Sequence, residues 1–207
     1  FQARVLGDAG HVKRVQRALR DGLADALGTR DCSIQRKHQK VIEECPSPNL
    51  SPELIATLST SACTLMEKAN YIGVGTAEFL LQPDTGLCSF LEINSRLQVE
   101  HTITEECFQV DLIQAQILLA MGEPWEAPAH QGYGHAIELR VNAERPEQDF
   151  QPSPGRIALF RPPAGRGIRV DSGVVEGSLI SPHFDSMIAK IIAWAPTRKQ
   201  AIARALR

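Results

Sequence analysis

Between Phe90 and His101 apolar and polar side chains alternate, FLEINSRLQVEH. If one strand ran straight through, Leu91, Ile93, Leu97 and Val99 would share a face, and Glu92, Asn94, Arg96, Gln98 and Glu100 the other. A period of two marks a strand with one face in the core. Carboxylates, amides and a guanidinium in strict alternation suit a row of groups that holds a metal-bound phosphate and a small anion. The plainer reading is an ordinary half-exposed strand.

Elsewhere the pattern changes period. FQARVLGD, at the start, predicts a strand ending at Gly7-Asp8. In His11 to Gly22, Val12, Val15 and Leu19 fall at helical spacing among Lys13, Arg14, Arg17 and Arg20, which predicts a short solvated helix in a connection. Arg30 to Lys40 is basic and polar on both faces, and reads equally as solvated surface or as the lining of an anion cleft. PSPNLSPEL breaks the chain. Ser51 as N-cap and Pro52 at the first helical position open a helix to Asn70, whose stripe of Leu54, Ile55, Leu58, Ala62, Leu65, Met66 and Ala69 faces the core. Thr104 to Met121 predicts one more helix, stopped by Gly122-Glu123-Pro124, and Trp125 to Gly134 a linker. After that come HAIELRVNAE, with Glu138 and Arg140 on one face, a Gly/Pro-punctuated antiparallel stretch, and the strand-like DSMIAKIIAWA. Thr197 with Gln200 forms a capping box for a last helix.

Thr76 to Leu81 and Leu87 to Asn94 predict a hairpin around Pro83-Asp84-Thr85-Gly86. With position 85 at its centre, Glu78 lies seven residues before and Glu92 seven after, so the two pair across the hairpin. Like charges directly opposite destabilise a sheet, so two facing carboxylates want a cation between them. Oxygen ligands, with Asn94 two residues on, suit Mg²⁺ or Mn²⁺ better than zinc. A one-residue slip would put the two carboxylates on opposite faces.

The 207 residues are enough for one large domain or two small ones, and a net charge of −2 gives no reason to expect nucleic acid or an anionic membrane as partner. No apolar run reaches transmembrane length, and the first residues lack a signal-peptide layout. Five cysteines without metal-type spacing read as free thiols in a reducing compartment, here the cytoplasm, or the mitochondrial matrix for a eukaryotic source.

The strings RDCSIQRKHQKVIEE, GVGTAEFL, FLEINSRLQVEHTITEE, GHAIELRVNAE, QPSPGRIALF and SPHFDSMIAKIIAW resemble the biotin carboxylase family of ATP-grasp enzymes, in the family's order and near its spacing. The resemblance implies an α+β fold: the C-terminal half of an ATP-grasp fold over residues 1–128, then the mainly antiparallel biotin carboxylase C-terminal domain over 133–207. It implies ATP-dependent carboxylation of biotin with bicarbonate, through carboxyphosphate. By the same resemblance Glu78, Glu92 and Asn94 hold the metal ions that bridge ATP phosphates. His38 and Gln35 fall on the nucleotide side, and Leu80 packs on the adenine. Lys40, Arg96, Gln98 and Val99, the last through its backbone, bind bicarbonate. Glu100 is the base, and Arg140, with Arg96 beside it, steadies the biotin enolate. Implied partners are a biotin carboxyl carrier protein or domain, a carboxyltransferase subunit or domain, and a second copy in a homodimer of the complete enzyme.

The departures also matter. The family's first nucleotide-domain half, its two ATP-binding lysines and its Gly-rich lid have no counterpart in these residues. Gln2 stands where a Glu is usual, and the connection from Asp8 to Arg30 is longer than usual. The expectation is a fragment or a truncated gene product, incomplete for ATP chemistry by itself. Two other readings stand beside it: an interaction module of a carboxylase complex that has lost ATP chemistry, and a different ATP-grasp ligase such as a carbamoyl-phosphate synthase. GHAIELRVNAE and the residues after it argue against the latter.

Overall fold

A continuous eight-stranded sheet dominates the computed structural model, which describes residues 24–82, 85–125 and 132–207 and the backbone of 10–18. In chain order the strands are β1 (Gly10–Ala18), β2 (Ala24–Arg36), β3 (Gln39–Cys45), β4 (Gly73–Leu81), β5 (Cys88–Asn94), β6 (His135–Asn142), β7 (Glu144–Arg145), β8 (Gln151–Pro152), β9 (Gly155–Arg156), β10 (Ile168–Ser172), β11 (Leu179–Ile180) and β12 (Met187–Ala195). The helices are α1 (Pro52–Lys68), α2 (His101–Phe108), α3 (Leu112–Met121) and α4 (Arg198–Ala205). The large sheet runs β10-β12-β6-β3-β2-β1-β4-β5. Each neighbouring pair in it is antiparallel. The pairing of β3 with β6 carries the sheet from the first part of the chain into the last.

Alternation along β4 sorts its side chains between two layers. Ala77 and Phe79 pack with Leu58 and Ala62 of α1, while Val74 packs with Leu112 and Ala115 of α3 on the other side. Thr76 and Glu78 therefore share the face of Val74. The predicted opening of α1 is present: Ser51 accepts from the Leu54 N–H at 3.2 Å and Pro52 begins the helix. Leu58 and Met66 are almost wholly buried, each worth about 1.5–3 kcal/mol of transfer free energy. Ile103 and Cys107 of α2 pack on Cys45, Ala136 and Ile192, which seats α2 over β3, β6 and β12. At the far end the Thr197 cap accepts from the Gln200 N–H and starts α4 as expected.

Four expectations are corrected. Residues 10–18 form β1, not a helix: nine consecutive pairs to β4 on one side and a bulged ladder to β2 on the other override the local spacing of Val12 and Val15. The strand predicted over 1–8, the end of that helix (19–22), the turn residues Pro83 and Asp84, and linker residues 126–131 lie outside the described residues. The alternating strand stops at Asn94, and Glu100 caps α2 instead of continuing it. The single helix over 104–121 is two. Gln109 ends α2 in the left-handed region at φ 52°, and Asp111 starts α3 by accepting from the Gln114 N–H at 2.7 Å. Fourth, the hairpin is not centred on Thr85 throughout. Near the turn Leu81 pairs with Cys88 and Phe79 with Phe90, and an irregularity between Glu78 and Phe79 then brings Glu78 opposite Glu92. The predicted facing of the two carboxylates holds because of that bulge.

Candidate active site

One cavity of about 270 Å³ gathers groups from four parts of the chain. The turn after β2 and the start of β3 contribute His38, Gln39 and Lys40. The segment between β5 and α2 gives Arg96, Gln98, Val99 and Glu100; β6 gives Arg140 and Asn142; the approach to β12 gives Asp185, and β12 itself gives Met187. Lys37 and His38 both have positive φ, 50° and 63°, as a two-residue hairpin turn between twisted strands requires. That turn brings His38 into the cavity lining.

Glu100 is 1 % exposed and has a cation on each oxygen. Lys40 Nζ lies 3.0 Å from Oε1, and Arg140 Nη2 lies 3.0 Å from Oε2. Arg140 is itself anchored from behind, with Nε 2.7 Å and Nη2 2.5 Å from Glu43 Oε1. Burial works against the Arg140 charge, but the Glu43 and Glu100 carboxylates outweigh it and hold its pKa above the usual arginine value. Lys190 donates to the Val99 carbonyl at 2.5 Å and so fixes the peptide that lines the cavity. Burial lowers the pKa of that lysine.

Beside the cavity sits the carboxylate pair of β4 and β5. Glu78 is 6 % exposed and Glu92 is exposed. The Asn94 amide nitrogen bridges them, 2.7 Å from Glu78 Oε1 and 3.1 Å from Glu92 Oε1. A donor already stands between the two carboxylates, where a cation would. Two carboxylates and an amide whose oxygen can be turned inward form a hard donor set that fits Mg²⁺ or Mn²⁺. The pair is tied to the cavity twice: Gln98 Nε2 donates to Glu78 Oε1 at 3.0 Å, and Lys40 Nζ lies 3.8 Å from the same oxygen.

The structure thus brings together His38, Lys40, Arg96, Gln98, Val99, Glu100 and Arg140, with Glu78, Glu92 and Asn94 adjoining. Gln35 and Leu80 do not line the cavity; Gln35 donates to the Cys32 carbonyl, and Leu80 pairs with Ser89 on the hairpin. Sequence reasoning missed the support beneath. Arg30, 1 % exposed, donates to Gln98 Oε1 at 3.0 Å and to the Thr76 and Thr104 hydroxyls at 3.1 Å each. It orients the Gln98 amide, oxygen towards itself and nitrogen towards Glu78. Its place in a basic run gave no sign of burial. A larger cavity of about 480 Å³ at Tyr133, Trp194 and Arg204 has no carboxylate in its lining and lies apart from this chemistry.

Fold and site together define a class: part of an ATP-grasp domain, continued by an antiparallel C-terminal domain. Family models agree on both parts. The carbamoyl-phosphate synthase L chain ATP-binding domain matches residues 17–127, and the biotin carboxylase C-terminal domain matches residues 138–207. The chain belongs to the biotin carboxylase family. It is 46 % identical over its whole length to the biotin-dependent acyl-coenzyme A carboxylase alpha3 subunit of Mycobacterium leprae, and spans 35 % of that protein. It is 48 % identical over 87 % of its length to the biotin carboxylase of a Nostoc species, of which it spans 41 %. Among solved structures it superposes on the biotin carboxylase domain of Hydrogenobacter thermophilus 2-oxoglutarate carboxylase, in complex with MgADP, ADP and bicarbonate. The TM-score is 0.91 at 37 % identity, over 96 % of this chain and 44 % of that one. Among the described residues no helix is long and apolar enough to cross a membrane.

Proposed function

We propose that this chain supplies the metal, bicarbonate and biotin-facing half of a biotin carboxylase, which carboxylates carrier-linked biotin with bicarbonate at the expense of ATP. One observation carries the reading: a buried carboxylate, Glu100, spans Lys40 and Arg140 at the wall of a polar cavity beside the Glu78–Glu92 pair. Bicarbonate lies against Lys40, Arg96, Gln98 and the Val99 peptide. Glu100 takes its proton as the bicarbonate oxygen bonds to the γ-phosphorus of ATP and ADP leaves, which gives carboxyphosphate. Such a transfer depends on positioning and charge neutralisation. A divalent ion at Glu78, Glu92 and Asn94 would supply neutralisation at the phosphates. Carboxyphosphate then breaks down to CO2 and phosphate, the phosphate takes the ureido N–H proton of biotin, and the nitrogen bonds to the carbon of CO2 to give carboxybiotin. Arg140 steadies the enolate oxygen that this requires, since a guanidinium stays charged and presents a planar fork. His38, Gln35 and Leu80 belong to the nucleotide side.

In this reading the boundary between the two parts is 129–132, inside the stretch 128–137 that neither family model covers. Partners of this reading are a biotin carboxyl carrier protein or domain and a carboxyltransferase, as expected of a chain related to a carboxylase subunit. A homodimer of the full-length enzyme and a cytoplasmic or organellar setting complete it; none of the five cysteines is joined in a disulfide, which suits a reducing compartment. The test is bicarbonate-dependent ADP release by the full-length protein, with Glu100→Gln as control. Release that survives the substitution would remove Glu100 as the base.

A further inference from the structure

Behind Arg140 the sheet holds an arrangement that the proposed chemistry does not use. Glu43 of β3 and Glu138 of β6 are direct partners across the strand ladder, and both are wholly buried. Two carboxylates so placed repel each other, and burial makes that repulsion costly. Each has one oxygen engaged. Glu43 Oε1 accepts from Arg140, and Glu138 Oε2 accepts from the Thr102 hydroxyl. Each has its other oxygen buried and without a hydrogen-bond partner: Oε2 of Glu43 and Oε1 of Glu138. Two orphaned carboxyl oxygens on directly opposed residues are satisfied by one proton, which removes the repulsion as well.

We propose that Glu43 and Glu138 share a single proton, with Glu138 Oε1 donating to Glu43 Oε2, and that this pair is a positioning device for Arg140. The surroundings place the proton on Glu138. Glu43 is bonded by the Arg140 guanidinium, whereas Glu138 has only a hydroxyl donor. The charged groups facing the pair are Arg140 on β6, Lys40 on β3, Lys190 on β12 and Glu100 ahead of α2. Of these, Lys190 donates to the Val99 carbonyl. Burial, and then the Glu43 charge, push the Glu138 carboxyl up to about 8. A neutral Glu138 leaves one net negative charge behind Arg140. The guanidinium is then held by Glu43 and turned to Glu100, and is not drawn to a second anion on its own face of β6. The pairing stands on geometry; its bearing on biotin chemistry rests on the role proposed above for Arg140.

Two measurements on the 207-residue chain test the pair without any activity assay. The first is the infrared carbonyl stretch of protonated carboxyls at neutral pH, compared with Glu138→Gln. The wild type carries a buried protonated-carboxyl band that titrates away at about 8, and the variant lacks it. The second is the melting temperature across pH. A carboxyl whose folded pKa is raised from 4.5 to about 8 contributes stability that is full below the lower value and lost as pH rises through the upper. Wild type therefore loses stability over that window more steeply than Glu138→Gln, in which the slope is removed. Should the variant fail to fold, the wild-type band and its titration decide alone. A wild type with no protonated-carboxyl band at neutral pH overturns the proposal, as does an identical band or identical pH slope in a folded variant, whatever becomes of carboxylase activity.

Discussion

Arg140 Nη2 lies 3.0 Å from Glu100 Oε2, so a strand of the last part of the chain is bonded to the residue that caps α2. The same guanidinium is fixed to Glu43, whose side chain is 0 % exposed. Arg140 therefore has a structural duty and a proposed catalytic one, and the two can be separated.

Arg140→Gln leaves the Glu43 charge buried and without its cation. Breaking a buried pair by removing one partner costs about 3–5 kcal/mol. In a chemical-denaturation series Arg140→Gln loses stability of that order, and the double variant Glu43→Gln/Arg140→Gln recovers a large part of it. Additive losses in the cycle would mean that the two residues are not coupled.

Glu78→Gln and Glu92→Gln each remove a carboxylate from the facing pair proposed to hold a divalent ion. In the full-length protein either substitution raises the Mg²⁺ concentration for half-maximal ADP release by about tenfold or more, since even groups supporting a metal's ligands are typically worth that much. An unchanged Mg²⁺ titration in both variants means that the two carboxylates share no ion.

Arg30→Met keeps the side chain's bulk but strips donors from Gln98, Thr76 and Thr104. Each buried acceptor left without a donor costs about 1–3 kcal/mol, and Gln98 loses the bond that turns its amide towards Glu78. A stability loss on the order of 3 kcal/mol is expected, together with weaker bicarbonate dependence. A variant as stable as wild type would show that Arg30 supports nothing.

Glu44 sets an acid limb. Burial raises its pKa, but hydrogen bonds from His135 and Arg198 outweigh that and hold it below the ordinary 4.5. A lowered carboxylate pKa gives stability that is present above 4.5 and lost as pH falls through the folded value. Below 4.5, then, wild type loses melting temperature faster than Glu44→Gln. Parallel curves for the two proteins contradict this.

What was legible in the sequence follows from range. α1 announced itself because cap, proline and apolar stripe are all local. The Glu78–Glu92 facing could be counted from a nearby turn, though the bulge that produces it could not. β1 was misread because its spacing of Val12 and Val15 is local, while the pairing with β4 that decides it joins residues some sixty positions apart. The break at Gln109 had a signal, Asp111 followed three residues later by Gln114, that a continuous apolar pattern obscured. The resemblance to a family named the residues around the cavity. Nothing local could name Arg30, or the opposition of Glu43 and Glu138, which lie 95 positions apart and meet only through the β3–β6 ladder.

If one cavity runs two consecutive steps, with Glu100 serving the first and Arg140 the second, substitutions at the two residues separate the two products. The direct measurement is carboxybiotin formation and ADP release on the same sample of full-length protein, with a melting curve beside them. For Arg140→Gln the expected result is a loss of carboxybiotin of about a hundredfold or more, as for removal of an oxyanion donor worth roughly 3–4 kcal/mol, while slow bicarbonate-dependent ADP release continues. Adding Glu43→Gln to restore stability should not restore carboxybiotin. Glu100→Gln should lose both products. Equal losses of carboxybiotin and ADP in Arg140→Gln, both returning when Glu43→Gln repairs the fold, would contradict the account and leave Arg140 a structural cation alone.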